Sequence, residues 1–232
     1  MKQLICLMFV TAITTSSLAG QGIESALLDL TRIHEGVKSK RISSFDPTGG
    51  NRDRFERIDD GERRTIFEVE GSGMINHIWI TIAPPPPRLS RNDIILRMYW
   101  DGEQNPSVEA PIGPFFGQGW DESYNFSSLP LAAGPREGRG LVSYFVMPFS
   151  EGARIEIEND TGQRIDAFYY YIDYVELMTP PDTGRFHAWY NKELTEALPD
   201  GENEWSVLGP QQNNVDGEGN YLVAEMEGQG HY

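Results

Sequence analysis

Between residues 65 and 177 the sequence is a train of short apolar or alternating runs, each ended by turn formers. That pattern builds sheets and little else. Residues 65–69, 74–82 (MINHIWITI), 94–100 (IILRMYW) and 141–149 (LVSYFVMPF) have strand length. Residues 154–158 (RIEIE) alternate cleanly, so one face is buried and the other wet. Residues 167–177 (AFYYYIDYVEL) carry aromatics on both faces and read as an inner strand. Pro84 to Pro87 cannot donate to a ladder and must form a connection. With 24 Gly and 15 Pro along the chain, the spacing predicts an all-β, jelly-roll β-sandwich.

Helix is expected only at the margins. Residues 26–34 (ALLDLTRIH) place Leu27, Leu28, Leu30 and Ile33 on one face, a short amphipathic helix. Residues 186–198 have room for another before the turn at Pro199, Asp200 and Gly201. Residues 41–54 form a polar loop of Ser, Pro, Thr, paired Gly and Asn, and a last strand is expected over 221–226. The domain reading is a leader over 1–19, then helix, loop and first jelly roll over 20–198. The beginning of a second, incomplete jelly roll follows over 199–232.

The leader rests on one positive charge at Lys2, an apolar stretch from Leu4 to Val10, and Ser17-Leu18-Ala19 before the expected cleavage. The stretch is shorter than the ~20 apolar residues a spanning helix needs. A secreted or periplasmic protein, with no membrane contact after cleavage, is therefore expected. Cys6, the only cysteine, falls in the leader, which leaves the mature part without disulfides or a thiol nucleophile.

Charge narrows the partners. With 19 basic and 35 acidic residues the formal net charge is −16. Such a field repels nucleic-acid backbones and anionic membranes but leaves a neutral polar ligand such as a sugar unaffected. No cofactor signature is present. The Gly-x-Ser-x-Gly elbow is missing, Gly49-Gly50-Asn51 lacks the Lys-Ser/Thr of a phosphate loop, and the four histidines are scattered. His77, beside Ile78 and Ile80, reads as a wet-face strand residue. Asn214-Val215-Asp216-Gly217-Glu218-Gly219 with Glu225 has calcium-loop spacing but no flanking helices, so a polar hairpin loop is the expectation. Asn125-Phe126-Ser127 is a glycosylation sequon.

Sugar chemistry fits the remaining residues. Glycoside hydrolysis uses two carboxylates, which a sandwich assembles from distant loops, so linear spacing does not select the pair. Exposed aromatics offer apolar faces to sugar rings. Trp100-Asp101-Gly102 and the run from Phe115 to Asp121 (FFGQGWD) set aromatics beside turns and acids, either as such platforms or as core.

Eight segments in order carry a resemblance. They are residues 43–53 (SSFDPTGGNRD), 75–81 (INHIWIT), 96–102 (LRMYWDG), 106–111 (PSVEAP), 114–117 (PFFG), 143–149 (SYFVMPF), 171–174 (YIDY) and 227–232 (EGQGHY). Together they resemble the N-terminal portion of glycoside hydrolase family 172, also called domain of unknown function 2961. The resemblance implies two linked jelly rolls, a homo-oligomer based on a trimer with active sites near subunit contacts, and retaining chemistry by two glutamates. The implied substrates are furanosides, α-D-fructofuranosyl or D-arabinofuranosyl glycans. The family's glutamates lie in Gly-Glu-Gly-Asp and Gly-Thr-Glu-Asp-Tyr-Phe stretches, and neither occurs in this sequence. Gly217-Glu218-Gly219-Asn220 is similar in letters but precedes the Gly-His-Tyr segment instead of following it.

The expectation is therefore a fragment lacking the catalytic pair, with a non-catalytic carbohydrate-binding or assembly module as the alternative. Asp46, Asn51 and Asp53 are the expected substrate-binding residues. They surround a Gly-Gly pair that lets a ligand approach the backbone. The competing reading of the same loop is an Asx-stabilised structural turn.

Overall fold

A computed structural model describes residues 31–194 and 220–231. The chain divides into two compact units, Met1–Glu35 and Gly36–Tyr232. In the first, the described residues 31–35 are turn and irregular chain. The rest of the expected helix over 26–34 lies outside the described residues, as does the leader.

The second unit is a two-sheet β-sandwich. Its strands are β1 (Lys38–Ser43), β2 (Phe55–Ile58), β3 (Arg63–Glu70), β4 (Gly73–Ala83), β5 (Ile94–Trp100), β6 (Val108–Pro111), β7 (Phe126–Ser127), β8 (Leu131–Gly134), β9 (Gly140–Ser143), β10 (Met147–Phe149), β11 (Gly152–Asn159), β12 (Ile165–Glu176) and β13 (Ala188–Trp189). Among the described residues one short helix, α1 (Ile112–Phe115), follows β6. The first sheet runs β1-β12-β4-β9-β8-β7, with β10 also on β4 and β2 also on β12. The second runs β13-β6-β5-β11-β3.

Period-two patterning explains which face each strand buries. Ile78, Ile80 and Ile82 of β4 and Phe168, Tyr170, Ile172 and Tyr174 of β12 point inward from the first sheet. Leu96, Met98 and Trp100 of β5 and Ala153, Ile155 and Ile157 of β11 meet them from the second. The expected inner strand is β12, which pairs with β1 and β2 on one side and β4 on the other. On β11 the outward Arg154 and Glu158 are partly wet, as alternation requires. Glu156 is nonetheless buried, beside a bulge between Ile155 and Glu156.

Four expectations are corrected. The run over 141–149 is two strands, because β9 pairs with β4 at Ile78–Thr81 whereas β10 pairs with it at Gly73–Ile75. The polar loop starts at Ser44, since Arg41–Ser43 extend β1 against β12. Residues 186–194 hold no helix. Trp100 Nε1 donates to the Phe186 carbonyl at 2.7 Å and Ala188 N–H to Ser107 O at 3.2 Å, which draws the segment straight beside β6. The expected strand over 221–226 is irregular, held to residues 191–193 chiefly by side-chain bonds such as Leu222 N–H to Glu193 Oε1 at 2.7 Å. The remainder of the helix expected to 198, and most of the calcium-like run, lie outside the described residues.

The register gathers several loops at one end of the first sheet. β1 leaves at Ser43 opposite Tyr171, β4 leaves at Ala83 opposite Ala167, and β9 enters at Gly140 opposite Thr81. Loops 44–54, 84–93 and 135–139 therefore emerge in the same direction.

Candidate functional site

The loop after β1 is built by its own side chains. Asp46 Oδ1 accepts the Thr48 backbone N–H at 2.9 Å and the Thr48 hydroxyl at 2.6 Å, while Oδ2 takes the Arg52 N–H at 3.3 Å. Asp53 Oδ1 accepts the Asp46 N–H at 2.8 Å. The Thr48 bonds, hydroxyl first and backbone second, hold the Asp46 carboxyl below the ordinary carboxylate range despite a small opposing effect of desolvation. Gly50 passes close to that carboxylate, and a Cβ there would lie 2.5 Å from Asp46 Oδ2. Ser44 ties the loop to the sandwich: its hydroxyl donates to Asp53 O at 2.8 Å and accepts the Tyr170 N–H at 3.1 Å.

Asp46, Asn51 and Asp53 thus sit on one exposed loop, and they differ in what they have left to offer. Asp46 uses both oxygens to shape the loop, and Asp53 uses one. Asn51 is exposed.

A second pair of loops is locked from below by a buried cation. Arg91, only 3% exposed, donates through Nη1 to Gln118 Oε1 and to Gly138 O at 2.7 Å, and through Nη2 to Arg139 O at 3.0 Å. Its Nε finds no acceptor among the described residues. Burial pushes this guanidinium down to about 10, so it remains charged at neutral pH. Gln118 extends the network through Nε2 to Tyr124 O and Gly138 O, both at 3.2 Å. Asn125 Oδ1, in the sequon, accepts the Gly138 N–H at 2.7 Å.

The backbone of these loops is left-handed at several positions. Trp120 and Asp121 have φ of 57° and 56°, and Arg136, Glu137 and Gly138 have 49°, 62° and 69°. The Glu122 N–H donates to Gly119 O at 3.1 Å, closing a tight turn with Trp120 and Asp121 at its centre. Ser90 donates to Asp121 Oδ1 at 2.9 Å, which joins that turn to the loop carrying Arg91.

The aromatics of the two turn-rich runs divide sharply. Trp100, Phe115 and Phe116 belong to the core, whereas Trp120 is 88% exposed.

Sequence reasoning missed a cluster on the outer face of the first sheet. Arg41 grips Asp173 with Nε at 2.6 Å and Nη2 at 2.9 Å, and His77 Nδ1 lies 2.7 Å from the same carboxylate. His77 stacks on Tyr144 and Trp79 on Tyr171, with Arg41 over the Tyr171 ring. The i, i+2 spacings His77-x-Trp79 and Tyr171-x-Asp173 put each pair on one face, but pairing across strands depends on register, which no local spacing reveals. His77 is on the outer face, as its flanking isoleucines indicate.

Two shallow clefts, about 330 and 340 Å³, lie over the outer face of the second sheet. Arg97, Glu109, Tyr190 and Lys192 line the first, where Arg97 is already paired with Glu109 and Glu158. Among the described residues no group of three or more His, Cys, Asp or Glu side chains is arranged to hold a metal ion.

Comparison with known proteins places this architecture. No curated protein matches the chain. A family model described as GH172 domain-like matches residues 51–170, more than half of the 232 residues. That span runs from Asn51 in the polar loop, through the Arg91 network and the Trp120 turn, to Tyr170 on β12; the chain belongs to the GH172 domain-like family.

Proposed function

We propose that this chain is the sugar-contacting portion of an exported glycoside hydrolase acting on furanosides, α-D-fructofuranosyl or D-arabinofuranosyl glycans. The catalytic glutamate pair would lie outside the given sequence. The observation that carries the reading is the family match over 51–170, which covers loops 84–93 and 135–139 and the end of the polar loop from Asn51. Glycan recognition needs fixed polar groups, because a donor or acceptor that must first be ordered gives up entropy on binding. The polar loop meets that need: Asp46 shapes it, and Asn51 with the second oxygen of Asp53 is left to meet hydroxyls. The proposed partner is a furanoside glycan, and a homo-oligomer is the proposed state of the complete protein.

Calorimetric titration of the chain with a D-arabinofuranosyl tetrasaccharide, run beside a turnover assay on the same sugar, tests the reading. Binding without turnover is the expected result, since a chain without its general acid and nucleophile loses most of its rate advantage. Rapid hydrolysis by the purified chain would overturn the placement of the catalytic pair outside it. Absence of binding to any furanoside would overturn the substrate class.

A further inference from the structure

Trp120 sits in a backbone conformation that works against it. Positive φ at both central positions of the 119–122 turn suits Gly, Asn or Asp, and a bulky side chain there is disfavoured. Its indole is 88% exposed, so core packing does not compensate. Yet the turn is held from several sides: Asp121 by the Ser90 hydroxyl, Gly119 N–H by the Tyr124 hydroxyl at 3.3 Å, and Gln118 by buried Arg91. A rigidly mounted, strained and solvent-facing aromatic is characteristic of a contact made with something outside the fold, because strain of this kind collects at ligand sites.

We propose that Trp120 is the aromatic plate of a sugar subsite, taking the apolar face of a furanose ring against its indole. This rests on the glycoside reading above and adds a residue to it. An indole has a broad apolar face and a single N–H, so it gains from the C–H side of a sugar and needs no charge from a neutral ligand. Asp121 and Glu122, in the same turn, supply polar groups beside the plate. Arg91 acts through the loops, as a positioning residue, without touching the sugar.

The test uses the full chain labelled with 5-fluorotryptophan, with the Trp120 resonance assigned from Trp120→Ala. A D-arabinofuranosyl tetrasaccharide is titrated, and cellotetraose serves as a pyranose probe. The expected result is a shift of the Trp120 signal by the furanoside, with affinity falling about tenfold in Trp120→Ala and largely restored in Trp120→Tyr. Trp120→Gly relaxes the turn, so it should raise Tm by about 3 °C while losing the affinity. That opposition separates a ligand contact from a structural role.

If Trp120→Ala binds the furanoside as tightly as the parent, the plate is wrong while the substrate class stands. A Trp120-dependent response to cellotetraose alone supports the plate and overturns the furanoside class. No response to either sugar overturns both. A change of sedimenting mass in Trp120→Ala without change in sugar affinity makes the residue a subunit contact and overturns the proposal.

Discussion

Asp101 and Arg185 close a clasp at one end of the second sheet, with Arg185 Nε donating to Asp101 Oδ2 at 2.6 Å. The other oxygen, Oδ1, accepts the backbone N–H groups of Ser150 and Glu151, both at 2.7 Å. Arg185 also donates to the Ser150 hydroxyl at 2.5 Å. One carboxylate therefore joins the turn after β5, the β10–β11 connection and the segment that leads to β13. Asp101 has φ of 52°, which Asp tolerates better than most residues.

Asp101→Ala should destabilise the fold by about 3 kcal/mol, because charge-assisted bonds are lost and a left-handed position receives a Cβ without a polar group. Asp101→Asn should cost about half as much. Urea unfolding with unchanged m-values checks this. The double variant with Arg185→Ala should fall well short of additivity, since both changes break one cluster.

The same clasp gives the fold an acid sensitivity. Burial alone would raise the Asp101 carboxyl, but the N–H bonds from Glu151 and Ser150 and the Arg185 pair outweigh it and hold it low. Asp173 is also held low, by the Arg41 bond first, with burial opposing and His77 adding to the effect. A carboxyl lowered on folding contributes stability that is fully present above its unfolded value of about 3.9. The contribution is lost as pH falls through the lowered native value. Tm should therefore be flat from neutrality to about pH 5 and drop below pH 4, with a shallower drop in Asp101→Asn. An unchanged acid limb in that variant would contradict the assignment.

Not every ion pair carries this weight. Arg41 is 53% exposed at its side chain, so solvent screens its bidentate pair with Asp173. Arg41→Ala should cost less than about 1 kcal/mol in urea unfolding. A loss as large as that of Asp101→Ala would contradict the screening of this pair.

Gly50→Ala should disturb the polar loop without unfolding the sandwich. The added Cβ would collide with Asp46 Oδ2, so the carboxylate must give up its Arg52 bond. Hydrogen exchange at the Thr48 and Arg52 amides should quicken while β12 amides keep their protection. Furanoside affinity should fall with it if the loop contacts sugar.

Arg91→Met keeps the length of the side chain and removes its donors. Gln118 Oε1 then loses its Arg91 donor within the buried network, at a cost of about 3 kcal/mol. Loops 117–125 and 135–139 should open to hydrogen exchange, most visibly at the Gly138 amide bonded to Asn125. Retained protection there would show that the loops stand without the cation.

Much of this fold could be read from the letters because alternation is a local property. The spans of β3, β4, β5, β11 and β12 follow from their own apolar residues. The short strands β7, β8 and β13 do not, since two to four residues hold no period and their pairing is imposed by neighbours. Residues 186–194 failed for the same reason: helix propensity yields to the indole bond from Trp100 and to pairing beside β6. At the candidate site, Gly-Gly between aspartates marked a loop, and the loop is there. Arg91 was invisible, because an arginine after a proline run reads as solvent-exposed until the carbonyls around it are placed. Trp120 stood in the text beside Phe115 and Phe116 with nothing to distinguish wet from dry.

Asn76 has a consequence for how this sheet tolerates change. On β4, His77 faces Asp173 while Ile75 faces Tyr174, so Asn76 has no opposite number on β12. Ile75 and Ile78 both reach the core although three positions apart. The strand behaves as two sentences sharing a comma: each half keeps its own grammar of in and out, and the comma absorbs the odd syllable. Removing Asn76 should leave both halves in phase, whereas removing His77 should push Asn76 to the outer face, erase the Tyr144 stack and leave the isoleucines where they are. A length change that ruins most central strands is thus already accommodated in this one.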